Sequence, residues 1–125
     1  MNVAIIGSRS FNDYDKVKTF INRWKIFYSI NINCIISGGA SGADKLGEKY
    51  AKEYNIEIKI FKPDWDTYGK SAGFRRNIDI IKNCDVCFAF WDGNSKGTKH
   101  NIDLCKKMSK DCYIYNKLTN KEYKV

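Results

Sequence analysis

Glycine, small hydroxyl residues, charges and aromatics gather in four short segments, each of which follows an apolar run: 7–11, 37–44, 62–69 and 91–98. The second segment places Gly38, Gly39 and Gly42 directly before a helical pattern. Glycine lets a turn adopt positive φ and lets another molecule approach the backbone closely. The exposed amides and the positive end of the next helix favour an anion. This segment therefore predicts a phosphate-binding loop.

The first segment offers three complementary functions. Gly7 permits a tight turn, Ser8 supplies a hydroxyl, and Arg9 can pair with a phosphate through two parallel hydrogen bonds. A solvated surface charge is the alternative for Arg9. The segment is therefore a second candidate for anion binding.

A carboxylate in the glycine-rich segment needs a different interpretation. Asp44 falls in the first turn of the predicted helix, where it would repel a phosphate placed beside it. It is better suited to capping that helix or to accepting hydrogen bonds from ribose hydroxyls. We therefore expect Asp44 to cap the helix or to contact a sugar, and not to bind a phosphate.

The fourth segment, together with rim aromatics, completes the candidate site. Gly97 and Thr98 open a helix and suit a second phosphate, although Thr98 as a simple N-cap is an alternative. Asp92 and Gly93 would shape this loop. The aromatic side chains suited to stacking on a base are Trp65, Tyr68 and Trp91. One or two of these rings can instead serve only to cover the rim.

Hydrophobic periodicity indicates how these segments are positioned. Apolar runs predict strands at 2–6, 33–36, 56–61, 85–90 and 112–115, and helical spacing predicts helices at 14–28, 43–54, 72–83 and 98–109. The inward helical positions are predicted to be Val17, Phe20, Ile21, Trp24, Leu46, Tyr50, Ala51, Phe74, Ile78 and Ile81. The segment 62–71 is predicted as a long loop.

This alternation predicts a three-layer Rossmann-like α/β fold, in which a mainly parallel five-stranded sheet carries helices on both faces. We expect one domain over residues 1–116, with 117–125 as a polar tail or edge element. In such sheets ligands bind beyond the carboxyl ends of the strands, which is where all four segments lie. The loops at the opposite edge are unremarkable in composition.

The charge and composition of the chain restrict the class of binding partner that we expect. The net charge is +8, but lysine supplies 18 of the 22 basic residues and these are scattered along the chain. Clustered arginines or a basic helix face would be more typical of duplex binding, so nucleic acid is a less favoured partner than a nucleotide.

No apolar run is long enough to span a membrane, no signal peptide is recognisable, and the five cysteines suit reduced thiols. These features predict a cytoplasmic protein; a homodimer is left open.

The remaining motifs in the sequence are weak evidence for any particular function. The glycine loop lacks the Gly-Lys-Ser/Thr ending of a Walker A motif and does not match G-x-G-x-x-G. Cys84 and Cys87 have redox or zinc spacing, but no second pair supports them in sequence, so we expect structural thiols. His100 lacks an evident catalytic partner. The sequence therefore predicts no metal site and no separate cofactor.

The four segments together resemble the SLOG superfamily, and within it the YspA-like group, over nearly the whole chain. The matching residues are Gly7-Ser8-Arg9 with Phe11, Ser37-Gly38-Gly39-Ala40-x-Gly42-Ala43-Asp44, Trp65 with Tyr68-Gly69-Lys70, Ala72-Gly73-x-x-Arg76-Asn77, and Ala89-Phe90-Trp91-Asp92-Gly93-x-Ser95-x-Gly97-Thr98. The resemblance implies a Rossmann-like domain that binds a nucleotide or nucleotide-derived ligand, often as a sensor. It also nominates Ser37, Ala40, Arg76 and Asn77 as site residues.

The superfamily also contains phosphoribohydrolases, whose Pro-Gly-Gly-x-Gly-Thr-x-x-Glu signature ends in a catalytic glutamate. Asn101 stands at the corresponding position here, and an amide cannot shuttle a proton at neutral pH. Asp92 and Asp103 are the available substitutes. The leading hypothesis is therefore a non-catalytic module that senses or sequesters its ligand. The alternatives are a hydrolase acting on the same ligand and a nucleic-acid-binding protein.

Overall fold

The computed structural model describes all residues, 1–125, as a three-layer α/β fold. The strands are β1 (Asn2–Gly7), β2 (Cys34–Ser37), β3 (Glu57–Ile60), β4 (Val86–Trp91), β5 (Asp111–Asn116) and β6 (Lys121–Lys124). The helices are α1 (Tyr14–Tyr28), α2 (Ala43–Glu53), α3 (Trp65–Tyr68), α4 (Ala72–Asn83) and α5 (Lys96–Lys107), and a 3-10 turn, Gly69–Ser71, joins α3 to α4. The predicted class is confirmed.

The sheet has the order β3-β2-β1-β4-β5-β6, with the first five strands parallel. Strand order reverses between β1 and β4, so the loops after these two strands diverge and leave a crevice at their carboxyl ends. The predicted count of five strands is wrong, because β6 pairs antiparallel with β5. Its residues, Lys-Glu-Tyr-Lys, are too polar to predict a strand, but charged residues are typical of an exposed sheet edge.

Two apolar layers hold the helices against the sheet, because alternate residues of the central strands point to opposite faces. On one face Val86, Phe88 and Phe90 pack with α1 and α2. On the other face Cys87 and Ala89 pack with α4 and α5. β4 is therefore buried on both sides from Val86 to Phe90, as its continuous apolar run predicts.

The predicted inward face of α1 is confirmed, but that of α4 is wrong in part. Phe74 and Ile78 are 54% and 37% exposed, whereas Asn77, Ile80 and Ile81 are buried. The helix is rotated so that the buried Asn77 faces the crevice at the sheet edge. An amphipathic pattern could not reveal this rotation, because the inward face includes a polar residue.

The predicted long loop at 62–71 is also largely helical. Asp64 caps α3 by accepting a hydrogen bond from the amide of Thr67, at 3.2 Å. The 3-10 turn then leads directly into α4. This cap fixes Trp65 in the first turn of a short helix, at the mouth of the crevice.

Candidate functional site

The candidate site is a cleft at the carboxyl ends of β1 and β4, formed by three adjoining lobes. An inner lobe of about 90 Å³ lies between the first loop, α4 and α5. Two outer lobes, of about 420 Å³ and 240 Å³, lie beside Trp65. Arg9 and Arg76 line all three lobes, so the lobes form one continuous surface around these two guanidinium groups.

Eleven of the predicted site residues line this cleft: Gly7, Arg9, Gly38, Gly39, Ala40, Asp44, Trp65, Arg76, Asn77, Gly97 and Thr98. Six others do not line it: Ser8, Ser37, Gly42, Trp91, Asp92 and Gly93. The four predicted loops therefore do meet at one edge, but only some of their residues face the cleft.

Arg76 is held in place by the glycine-rich loop. Its Nη1 donates to the carbonyl of Gly38 at 2.7 Å, and its Nε donates to Oδ1 of Asn77 at 3.1 Å. Partial burial, which penalises the charged form, lowers the pKa of Arg76 from its usual value. The guanidinium nevertheless stays charged, because the ordinary arginine pKa is so high. Arg76 is thus a pre-positioned cation at the centre of the cleft.

The cations of the cleft have no ion-pair partners. Arg9 joins Arg76 in the centre, and Lys62 and Lys70 line the outer lobes. None of these four takes part in any of the six salt bridges of the protein. The cleft therefore concentrates positive charge that no direct ion pair neutralises, and Asp44, which interacts with Arg76 at longer range, offsets only part of it.

Asp44 is the one carboxylate that lines the cleft. It is only 6% exposed, and its Oδ2 accepts a hydrogen bond from the amide of Ala40 at 3.2 Å. Burial raises the pKa of Asp44 to about 6, although the amide of Ala40 and the charge of Arg76 act in the opposite direction. The expectation that Asp44 caps α2 is wrong. The N-cap of that helix is Gly42, and no side chain accepts a capping hydrogen bond there.

The glycine-rich loop departs from the predicted phosphate cradle. The amide of Gly39 donates to Oγ of Ser37 at 3.1 Å, and that of Ala43 donates to the carbonyl of Ser8 at 3.2 Å. Gly42 has φ +76°, and a Cβ there would lie 2.3 Å from the Ser8 carbonyl oxygen. Three amides of the loop, counting that of Ala40, are already bonded within the chain. The loop's main contribution is therefore to dock the first loop and to hold Arg76.

The loop after β4 is also braced by its own side chains. Ser95 caps α5, accepting from the amide of Thr98 at 3.4 Å, so the interpretation of Thr98 as N-cap is wrong. Oδ1 of Asp92 accepts from the amides of Asn94 and Ser95, both at 2.8 Å, and these bonds lower the pKa of Asp92. Trp91 donates from Nε1 to the Ser95 carbonyl at 3.0 Å. These residues shape the loop and leave Gly97 open toward the cleft, with free space where a Cβ would stand.

Several residues that line the cleft are missing from the sequence-based candidates, among them Lys62, Lys70 and Phe74, and the most informative of them is Asn101. Asn101 is 6% exposed, lines the inner lobe, and its Oδ1 has no hydrogen-bond partner. A buried polar atom without a partner costs about 1–3 kcal/mol and therefore needs an explanation; of the three such atoms in this protein, only that of Asn101 lies at the cleft. The sequence did contain a signal that could have identified Asn101, because its position corresponds to that of the catalytic glutamate of the phosphoribohydrolases.

Aromatic groups frame the outer lobes. Trp65 is 54% exposed and lines both of them. Phe74 lines the smaller one, and its ring meets that of His100 edge-on, with centroids 4.6 Å apart. Nδ1 of His100 in turn lies 3.1 Å from Nδ2 of Asn77. Trp65 is therefore available for stacking, whereas Trp91 packs on the apolar layer beneath the sheet.

Fold and cleft together define a Rossmann-like protein with a cationic crevice at the point where strand order reverses. The profile of the YspA, cpYpsA-related SLOG family matches residues 1–68. The chain also resembles the Gene 61 protein of Mycobacterium phage D29, with 38% identity over 115 residues that cover 84% of this chain and 88% of that protein. The chain belongs to the YspA, cpYpsA-related SLOG family, as its motifs predict. Membership is consistent with binding or processing of a nucleotide-related ligand.

None of the helices combines the length and the apolar character that crossing a membrane requires.

Proposed function

We propose that the protein binds a nucleotide-derived ligand in the cleft and thereby senses or sequesters it. The observation that carries this proposal is the convergence of Arg9 and Arg76, without ion-pair partners, on a cleft with a single carboxylate. Two unpaired guanidinium groups repel each other, and an anion between them removes that repulsion. Family membership supports a nucleotide as the source of that anion.

The phosphate groups of the ligand lie at the guanidinium groups. Arginine binds phosphate oxygens with two parallel hydrogen bonds, and each hydrogen bond to a charged group contributes about 1.5–3 kcal/mol. Nη2 of Arg76 forms no hydrogen bond with the protein, because Nη1 and Nε alone contact Gly38 and Asn77. The guanidinium is therefore oriented by the protein on one side and free for the ligand on the other.

A hydroxyl-bearing part of the ligand fills the inner lobe. Asn101 presents an unpartnered acceptor, Oδ1, and a phosphate has only acceptors to offer at neutral pH. A ribose hydroxyl can donate to it. A base or second sugar then stacks on Trp65, which is exposed beside both outer lobes.

Calorimetric titration tests this function. The panel comprises AMP, ADP, ADP-ribose, NAD and a cyclic dinucleotide. We expect at least one of them to bind with a Kd in the range of roughly 1–100 µM, or about −5 to −8 kcal/mol. Arg76→Ala abolishes that binding, and Arg23→Ala, a distant surface arginine, leaves it unchanged. If no member binds, or if both variants behave alike, the proposal is wrong.

Turnover of the same ligand is a second candidate function, and Asp44 is the observation that favours it. A carboxyl with a pKa of about 6 inside a cleft is suited to proton transfer near neutral pH. Incubation with nucleoside monophosphates and NAD, followed by chromatography, distinguishes the two candidates. Product that disappears in Asp44→Asn supports a hydrolase, and binding without product supports the non-catalytic module.

The state of the cysteines indicates the cellular compartment in which we expect the protein to act. All five are free thiols, and four of them are buried. Free thiols persist in reducing compartments, so we propose that the protein acts in the cytoplasm.

A further inference from the structure

Three cysteines meet in the apolar layer between the sheet and α5, away from the cleft. Cys87 lies on β4, Cys105 on α5 and Cys112 on β5, and all three are fully buried. Their sulfur atoms lie within 4.8 Å of one another. Three elements of secondary structure therefore direct thiols to one point.

The backbone fixes this convergence. Cys87 and Cys112 are register partners on adjacent parallel strands, so their side chains leave the same face of the sheet side by side. Cys105 packs against them from α5, the helix that covers this face of the sheet. Cys84, also buried, belongs to the same apolar cluster. The fold thus brings to Cys87 two cysteines that are distant in sequence, Cys105 and Cys112, whereas Cys84 lies outside this group of three.

The donor set selects the kind of ion. Sulfur is the only ligating element in the group of three, and sulfur ligands suit soft or borderline ions such as Zn²⁺ rather than Mg²⁺ or Ca²⁺. Zinc–sulfur bonds of about 2.3 Å place tetrahedral sulfurs roughly 3.8 Å apart. The observed separations need to shorten by about 1 Å at most, which small side-chain rotations achieve.

Charge balance is consistent with such an ion. Three thiolates and one Zn²⁺ carry a net charge of −1, which an apolar layer tolerates only beside a cation. Lys110 provides one, since its Nζ donates to the carbonyl of Cys84 at 2.8 Å, at the border of the cluster. The other side chains of this apolar layer are uncharged, and most of them are aliphatic.

We propose that Cys87, Cys105 and Cys112 form a structural zinc site; for Cys84 to become a fourth ligand, its thiol has to leave the Ile81 carbonyl, to which it donates at 3.3 Å. Each ligating thiol transfers its proton to solvent, and zinc forms a bond to the resulting thiolate with no change of oxidation state. The site is closed, so the ion enters while the chain folds. Zinc binding then stabilises the packing of α5 on β4 and β5 and is independent of the ligand cleft.

Refolding in the presence of metal tests the proposal. The full chain is denatured with a chelator and a reductant, then refolded with or without one equivalent of Zn²⁺, and bound zinc is measured after gel filtration. Wild type and Cys34→Ser are expected to retain about one zinc per chain. Cys105→Ala and Cys112→Ala are expected to retain at least about tenfold less.

Cobalt provides a readout that does not depend on the variants folding. Refolding wild type with Co²⁺ is expected to produce the sulfur-to-cobalt charge-transfer band of a thiolate site. The proposal is overturned if wild type shows no such band and holds no more zinc than Cys105→Ala. It is equally overturned if Cys34→Ser loses zinc to the same extent.

Discussion

Two concave regions of this protein differ in how far the chain pairs its own charges. The first is the cleft around Arg9 and Arg76. The second, here called the aromatic groove, has a volume of about 340 Å³ and is lined by Phe20, Arg23, Trp24, Phe27, Tyr28, Tyr113, Glu122, Tyr123 and Lys124. The groove is the more apolar of the two, which by itself is a property of many ligand pockets.

The charges of the groove are nevertheless paired. Arg23 donates to Glu122 at 2.6 Å, and Lys124 lies 3.4 Å from Asp111. In the cleft the cations have no such partners, and Asn101 has a buried acceptor with none either. Nε1 of Trp24, in the groove, is also buried without a partner, so one unpartnered polar atom does not separate the two regions. The cations without ion pairs do, and they distinguish a candidate ligand site better than apolar area does.

The largest expected effect separates an arginine of the cleft from one of the groove. Arg76→Ala removes a charge and the contact that orients the glycine-rich loop, so we expect ligand affinity to fall at least about 100-fold, or about 2.7 kcal/mol. Arg23→Ala is the matched control and is expected to change affinity less than about twofold, because its ion pair is exposed. Isothermal titration of both variants measures this. Equal losses would mean that the cleft is not distinguished by its charges.

The second effect concerns stability and pH at Asp44. The folded protein keeps the Asp44 proton up to a pH of about 6, whereas the unfolded chain loses it near the ordinary value of 3.8. The folded state therefore binds more protons between these values, and the contribution of Asp44 to the free energy of unfolding falls as the pH rises through this window. Relative to Asp44→Asn, wild type is expected to lose about 2 kcal/mol between pH 4.5 and pH 7.

Urea unfolding of the two proteins at several pH values measures that difference. His100, which lies near the cleft, is present in both proteins, so its titration cancels in the comparison. A difference that stays constant with pH, or grows in the opposite direction, would contradict the account of Asp44.

A third variant separates binding from folding. Asn101→Leu removes a buried acceptor that has no partner, so we expect the melting temperature to stay the same or to rise. The same change is expected to weaken ligand binding about tenfold, because a hydroxyl of the ligand loses its acceptor. Differential scanning fluorimetry and calorimetry provide the two readouts. Weaker binding together with a lower melting temperature would indicate a structural role only.

The smallest effect is expected in the aromatic groove. Phe27 is 78% exposed, so Phe27→Ser removes apolar surface without opening a cavity. We expect nucleotide affinity to stay within about twofold of wild type by the same titration. A larger loss would show that the groove, and not only the cleft, takes part in binding.

Much of the fold follows from local pattern. The apolar run of β4 and the 3.6-residue spacing in α1 predict elements whose bounds match the structure to within about two residues. Local pattern does not predict the strand β6, because that strand depends on pairing with β5. It does not predict the rotation of α4 either, because that rotation buries a polar residue, Asn77. Both depend on contacts between segments that are distant in sequence.

The site was predictable at the level of loops but not of atoms. Glycine content correctly indicated which loops meet at the cleft. It could not show that Ser37, Asp44 and the Ser8 carbonyl use the amides of the glycine-rich loop, because those bonds depend on tertiary contacts. For the same reason sequence could not reveal the missing partner of Asn101. We therefore propose the arginine side chains, rather than the amides, as the main anion ligands.

A crystal structure with a bound nucleotide from the calorimetric panel tests the central claim most directly. We expect phosphate oxygens within hydrogen-bond distance of the guanidinium groups of Arg9 and Arg76, and a ligand hydroxyl on Oδ1 of Asn101. A nucleotide seated in the aromatic groove, with both arginines of the cleft left without a contact, would contradict it.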